Sequence, residues 1–347
     1  MDHLKNTCVS YDDVLLIPQY SDIRSRSEID ISTEIGNGLN LNIPIIASPM
    51  DTISEGVMGA AMAAAGGTAV IHRYNTIEEQ ARHVAAAKED TEASGPMVGA
   101  AIGISGNFLN RAAILRAMGV DFFCVDVAHG HHILMKEAIE ALRSEFGDSI
   151  HIMAGNVATL DGINDLADWG ANSVRCNIGG GSICSTRVQT GHGLPGLQTI
   201  IDCAKTDRDI KIIADGGIKT SGDMVKALAA GADAVMVGSL LAGTDECPGK
   251  IFEEKDGSRW KIYRGMASKE AQIKWRGKYS SFEGVSSRVP YRGSVSDILE
   301  DLERGIRSGF SYSGARTLSD LHAKAIFVKQ TASGISESNT HIVGRSW

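Results

Sequence analysis

Gly222-Asp223-Met224-Val225-Lys226-Ala227-Leu228-Ala229-Ala230-Gly231-Ala232-Asp233-Ala234-Val235-Met236-Val237-Gly238 is the stretch that decides the fold. Its first half repeats apolar residues three and four apart, which predicts an amphipathic helix over 222–230. Gly231 follows where glycine commonly ends a helix, and the chain then turns into an unbroken apolar run over 234–238. A run without polar alternation is what a parallel strand covered on both faces requires. A short joint from helix to strand is typical of repeating strand–helix units.

The same joint recurs upstream at Gly66-Gly67-Thr68, Gly119-Val120-Asp121 and Gly170-Ala171-Asn172. Strands are predicted over 43–47, 68–71, 98–102, 122–126, 151–155, 173–176, 210–215 and 234–238. Helical stretches such as 107–118, 132–146 and 160–169 lie between them. Eight such units predict an α/β chain folded as a (β/α)8 TIM barrel. An open doubly wound sheet would not need eight evenly spaced units. Two segments fall outside the repeat. An insertion after the eighth strand, about 247–293, is polar and interrupted, and the tail, about 331–347, reads as a loop.

With 347 residues and 43% apolar content, the chain can bury a large core, which excludes disorder and small disulfide scaffolds. No apolar run approaches the roughly 20 residues of a membrane span, and Met1-Asp2-His3-Leu4-Lys5 begins no signal-peptide stretch. The 6 cysteines stand outside CxxC spacing, so reduced thiols and a cytoplasmic location are expected. A formal net charge of −8 gives no general attraction for nucleic acid or membranes, so an anionic ligand needs a local site.

Barrels of this type build their active sites at the C-terminal ends of the strands. Those ends read Ser48-Pro49-Met50-Asp51, His72-Arg73, Asp126-Val127-Ala128-His129, Gly155-Asn156, Gly179-Gly180-Gly181-Ser182-Ile183-Cys184, Asp215-Gly216-Gly217 and Gly238-Ser239. The glycines after strands seven and eight either turn the chain or aim amides at a phosphate, and their position and doubling favour phosphate. Asp215 either accepts from a ribose diol or caps a helix. Cys184 is either a small apolar core residue or a nucleophile, whose thiolate the nearby Arg187 would favour. Carbonyls of the same turn suit a monovalent cation. His129, His131 and His132 have no partner at zinc-like spacing and read as turn residues. Glu283, judged alone, reads as a solvated loop carboxylate, with an acid–base role as the alternative. The other five cysteines read as structural.

Gly181-Ser182-Ile183-Cys184-Ser185-Thr186-Arg187 resembles the Gly-x-Gly-Ser-[Ile/Val]-Cys-x-Thr signature of the IMP dehydrogenase/GMP reductase family. The resemblance covers nearly the whole chain. It runs through Tyr11-Asp12-Asp13-Val14-Leu15-Leu16-Ile17-Pro18, Ser48-Pro49-Met50-Asp51-Thr52, Ala154-Gly155-Asn156-Val157, Ala214-Asp215-Gly216-Gly217-Ile218, Gly238-Ser239-Leu240-Leu241-Ala242-Gly243 and Tyr263-Arg264-Gly265-Met266. It implies a single (β/α)8 catalytic domain over 1–347, a homotetramer, a GMP or IMP substrate, a nicotinamide cofactor and potassium.

Carried onto matching positions, Cys184 looks like the nucleophile that adds to purine C2, with Thr186 its partner and Glu283 the glutamate of a flap. Substrate contacts are implied for Ser48, Met50, Asn156, Ser182, Gly265, Met266, Ala267 and Gly284, for Asp215 at the ribose, and for Gly216, Gly217, Gly238 and Ser239 at the phosphate. Cofactor contacts are implied for Ser25, Arg26, Arg73, Asp126, Val127, Ala128, Ile178 and Gly179. Potassium would meet carbonyls of Gly179, Gly181, Cys184 and Arg187.

Several features resemble the reductase branch, which releases ammonia from GMP using NADPH. About ten residues separate Lys88 from Val98, which leaves no room for a CBS regulatory pair. The flap is short and lacks the dehydrogenase's water-activating Arg-Tyr pair, the nearest match being Lys278-Tyr279. Ser25-Arg26-Ser27-Glu28, Thr190-Gly191-His192-Gly193 and the spacing from Tyr279 to Pro290 also look reductase-like. Arg26 and Arg73 suit the 2′-phosphate of NADPH. Ser48-Pro49-Met50, Ala65-Gly66-Gly67 and the tail Gly334-Ile335-Ser336-Glu337-Ser338 look instead like the dehydrogenase, which oxidises IMP to XMP with NAD and whose tail supplies cation ligands. Asn177 and Gly180 depart from the family pattern, where Gly and often Pro stand, and Ala267 replaces Gly or Ser. The reductase is the favoured reading and the dehydrogenase the alternative. A nucleotide-binding barrel without turnover is a third, from another class.

Overall fold

Eight parallel strands close into a barrel in chain order: β1 (Ile45–Ala47), β2 (Thr68–Ile71), β3 (Val98–Ile102), β4 (Phe122–Asp126), β5 (His151–Val157), β6 (Ser173–Cys176), β7 (Lys211–Asp215) and β8 (Ala234–Val237). β8 pairs with β1 through Val235 opposite Ile45, which shuts the ring. The computed structural model describes residues 7–89, 97–279 and 282–338. Each strand is followed by a helix: α1 (Gly56–Ala64), α2 (Ile77–Glu89), α3 (Phe108–Ala117), α4 (Ile133–Phe146), α5 (Leu160–Asp168), α6 (Gly196–Cys203), α7 (Ser221–Ala229) and α8 (Val295–Tyr312). The expected (β/α)8 barrel is therefore present. β1 starts at Ile45 rather than residue 43 because Pro44 has no N–H to give the ladder. β5 runs two residues past the expected end, with a register shift between Gly155 and Val157.

Two apolar layers follow from the strands' alternating side chains. Outward residues such as Ile45, Ala47 and Val174 pack under the helices. Inward residues, among them Ile46, Val70, Phe122, Met153, Ile213 and Met236, fill the barrel. A hairpin of Thr33–Glu34 and Asn40–Leu41 plugs the N-terminal end with Ile35 and Leu41. The Phe122 ring lies over Gly99, where a Cβ would fall 2.3 Å from the ring, so the pairing needs glycine there. Thr159, Thr220 and Ser294 cap α5, α7 and α8 with their hydroxyls, as their polar side chains favour.

The insertion is more ordered than its polar composition suggests. Phe252–Glu253, Arg259–Arg264 and Ser286–Pro290 form an antiparallel sheet, and Lys269–Arg276 is a helix. The buried Lys261 amine donates to the carbonyls of Thr244 (2.8 Å) and Cys247 (2.6 Å), which ties this sheet to the barrel. Phe252 stacks on Trp260 at 4.2 Å between ring centroids. The tail departs from the expected loop as well: Ala332–Glu337 is a helix whose N-terminus Thr331 caps. The rest of the tail, and the stretch 90–96 where a CBS pair would stand, lie outside the described residues. Among the described residues, no helix is long and apolar enough to cross a membrane.

Candidate active site

A cavity of about 440 Å³ opens at the C-terminal ends of the strands. On one side lies the loop from Asn177 to Cys184, closed by a hydrogen bond from Cys184 N to Gly181 O (3.1 Å) and followed by the short helix Thr186–Thr190. Cys184 is exposed to the cavity rather than packed in the core. Its thiol donates to Thr186 Oγ1 (3.2 Å), and Thr186 in turn donates to Glu283 Oε2 (2.6 Å). Backbone bonds hold the flap in place: Ser185 N to Glu283 O (2.9 Å), Val285 N to Ile183 O (3.0 Å) and Glu283 N to Ala267 O (3.1 Å). Glu283 is half-buried and held to Thr186, 97 positions away in the chain, rather than left wholly to solvent.

Across the cavity, Asp215 ends β7. Its Oδ2 accepts from Asn156 Nδ2 (2.7 Å) and from Arg175 Nε (3.1 Å) and Nη2 (2.8 Å), while its Oδ1 takes no hydrogen bond from the described residues. The helix-cap reading of Asp215 is excluded, since Thr220 caps α7. Gly216 and Gly217 follow with φ of +80° and +75°, a left-handed turn that glycine alone adopts readily.

Arg175 went unrecognised in the sequence, although a charge inside the run Ser173-Val174-Arg175-Cys176 was a signal. It is buried and also gives Nη1 to Asp126 Oδ1 (2.5 Å), so it bridges the Asp215 and Asp126 sides of the cavity. Burial opposes its charge, but Asp215, Cys124 and Asp126 hold the guanidinium protonated well above its ordinary range. Arg73 Nη2 donates to Asp126 O (3.1 Å). Tyr263 and Tyr74 line the cavity too and were likewise unforeseen. Burial pushes the Tyr263 phenol up to about 12.

The cavity brings together nearly all the expected residues: Ser48, Met50, Asn156, Ser182, Gly238, Ser239, Gly265, Met266, Ala267 and Gly284, with Asp126, Val127, Ala128, Ile178 and Gly179. It leaves three outside. Ser25 and Arg26 belong to a separate turn that caps itself, Ser25 N donating to Glu28 Oε1 (2.9 Å). Arg187 points its guanidinium at the Leu194 carbonyl and lies against Gly179 and Gly193. Four of the five remaining cysteines are buried as expected, while Cys8 is exposed.

Of the carbonyls expected around potassium, Gly181 O and Arg187 O each accept one backbone hydrogen bond, from Cys184 N and Gly191 N (both 3.1 Å), which leaves each a second lone pair, and the cationic Arg187 side chain lies against Gly179. The Gly334–Ser338 segment is engaged in its own helix and cap. Among the described residues, no group of three His, Cys, Asp or Glu is placed to hold a metal ion. His131 meets Asp165 (2.8 Å) and His132 caps α4.

A family model for the IMP dehydrogenase / GMP reductase domain matches residues 8–341. The chain is 35% identical to an inosine-5'-monophosphate dehydrogenase of Nitrosopumilus maritimus, over 96% of this chain and 98% of that one. It is 31% identical to a GMP reductase of Leishmania major, over 97% of each. A crystal structure of a variant GMP reductase from Trypanosoma brucei in complex with guanosine 5'-monophosphate matches with a TM-score of 0.93 at 30% identity, over 97% of this chain and 98% of that one. With the match running through the barrel, the Cys184 loop and the flap alike, the chain belongs to the IMP dehydrogenase/GMP reductase family of oxidoreductases acting on purine mononucleotides.

Proposed function

We propose that this protein is a GMP reductase, converting GMP and NADPH to IMP, ammonia and NADP through a covalent bond between Cys184 and purine C2. The observation that carries the reading is the line of hydrogen bonds from Cys184 through Thr186 to Glu283. Glu283 draws the thiol proton through Thr186, and the thiolate adds to C2. The C2–N bond then breaks. The same line returns the proton, and a second comes from solvent, so the nitrogen leaves as ammonium. Bound reduced nicotinamide supplies the hydride that C2 needs, and the C–S bond breaks to give IMP and restore the thiolate.

Asp215 Oδ1 takes no hydrogen bond from the described residues and suits the ribose diol, while the Gly217 amide and the Ser239 hydroxyl suit the phosphate, the Gly216 amide being given to the Met236 carbonyl (3.2 Å). Asp126, Val127, Ala128 and Arg73 would hold the cofactor, with the Arg73 charge suited to NADPH. Hydrolysis by a dehydrogenase needs a group that activates water at C2. Tyr279, the nearest candidate, meets Phe282 and Lys269 and does not line the cavity, which favours the reductase. The proposal includes a homotetramer, a cytoplasmic location and a single catalytic domain.

The test follows absorbance at about 340 nm, where reduced nicotinamide absorbs, with GMP and NADPH and separately with IMP, NAD and potassium. Loss of absorbance with ammonia released, in the first mixture only, is the expected result. A gain in the second only makes the protein a dehydrogenase. Nucleotide binding without turnover in either makes it a non-catalytic barrel.

A further inference from the structure

Asn177 and Gly180, the two positions where the Cys184 loop departs from the family pattern, touch each other. Asn177 begins the loop directly after β6 and is 5% exposed. Its Nδ2 donates to the carbonyls of Asp215 (2.8 Å) and Gly216 (3.2 Å). Its own carbonyl accepts from Asn156 Nδ2 (3.1 Å), which also donates to Asp215 Oδ2 (2.7 Å). Two carbonyls can only accept, so they set which end of the side-chain amide faces them. The Asn177 Oδ1 is buried with no partner among the described residues, a cost that a merely space-filling residue would not carry.

Gly180 lies against this amide. A Cβ there would fall 2.3 Å from Asn177 Nδ2 and 2.7 Å from Oδ1, so asparagine at 177 excludes any side chain at 180. The Gly180 carbonyl in turn comes within 2.8 Å of where a Gly217 Cβ would stand, so the two loops rest on each other.

We propose that Asn177 is a positioning residue, a strut that sets the distance between the Cys184 loop and the Asp215–Gly217 turn, with Gly180 as its required partner. The inference rests on reading the cavity as the purine nucleotide site. A nucleotide anchored by ribose and phosphate on one loop presents its C2 to a thiol on the other. Its reactivity then depends on the two loops keeping one spacing, and a misplacement of about 1 Å can cost on the order of 100-fold in rate. Anchoring to the turn itself depends less on that spacing.

The test measures kcat and KM, in whichever direction the wild-type protein works, for Asn177→Gly, Gly180→Ala and the double variant. GMP titration calorimetry and thermal melting accompany each. Asn177→Gly is expected to lower kcat roughly 100-fold while GMP affinity falls less than about tenfold. Gly180→Ala alone should be as damaging, yet cost little when added to Asn177→Gly, because the clash has gone. Unchanged kcat in Asn177→Gly, or independent losses that multiply in the double variant, would overturn the strut. Wild-type protein that binds no GMP or IMP would instead overturn the nucleotide site on which the strut rests.

Discussion

The two ends of the barrel are closed by opposite chemistry. At the N-terminal end, Ile35 and Leu41 seal a layer of Phe122, Met153, Ile213 and Met236. At the C-terminal end, the inward positions carry Arg175, Asp126, Asp215 and Asn156, joined by hydrogen bonds. An apolar seal has no direction, so it tolerates any side chain of similar volume. An ionic seal is directional and holds only while every partner is present. The comparison separates two tasks: the lower end supplies cohesion, and the upper end holds groups at fixed positions for chemistry. His151 is a polar residue at the lower end, buried with Nε2 at 2.8 Å from Ser173 Oγ and Nδ1 at 3.2 Å from Gly36 O.

The largest effect should come from the upper end. Cys184→Ala is expected to reduce turnover by more than about 1,000-fold, because no other group can form the covalent bond, while GMP binding stays within tenfold of wild type. Steady-state rates and calorimetry check this, and full turnover by the variant would remove the covalent route. Next, Arg175→Met should destabilise by about 3 kcal/mol or less in urea denaturation, since it leaves the half-buried Asp215 with Asn156 alone and the half-buried Asp126 with Arg73 alone. A neutral outcome would mean that the ionic seal is not directional after all.

A smaller effect concerns pH at the lower end. Burial lowers the His151 pKa from 6.5 to about 4, against the opposing contact with the Gly36 carbonyl. The unfolded chain therefore takes up a proton near its ordinary pKa, and the native protein does so only near 4. This contribution is complete above pH 6.5 and is lost as pH falls towards 4; its size is on the order of 3 kcal/mol. The urea midpoint of the wild type should drop over that window, and His151→Gln should flatten the drop. An unchanged slope would assign the acid sensitivity elsewhere. Smallest of all, Met236→Leu in the apolar layer should cost less than about 1.5 kcal/mol and leave KM unaltered. A large effect on KM would show that the two ends are coupled.

What the sequence by itself determined is the short-range repeat. The helix period, the glycine at each joint and the apolar run that follows lie within a few residues of one another, so they announce eight strand–helix units. The Cys184 loop and the Asp215-Gly216-Gly217 turn are equally local. The tertiary structure alone decided which distant groups meet. Barrel closure sets Arg175 between Asp126 and Asp215, and the flap's fold carries Glu283 to Thr186. The insertion read only as polar and interrupted because its alternating Trp260, Lys261 and Ile262 make sense only against the sheet and the carbonyls they pack on. Ser25 and Arg26 matched a motif but stay outside the cavity of their own chain, since matching residues carry no information about distance. A residue's type is written in the chain, but its partner is set by the closure of the barrel, which no local pattern records.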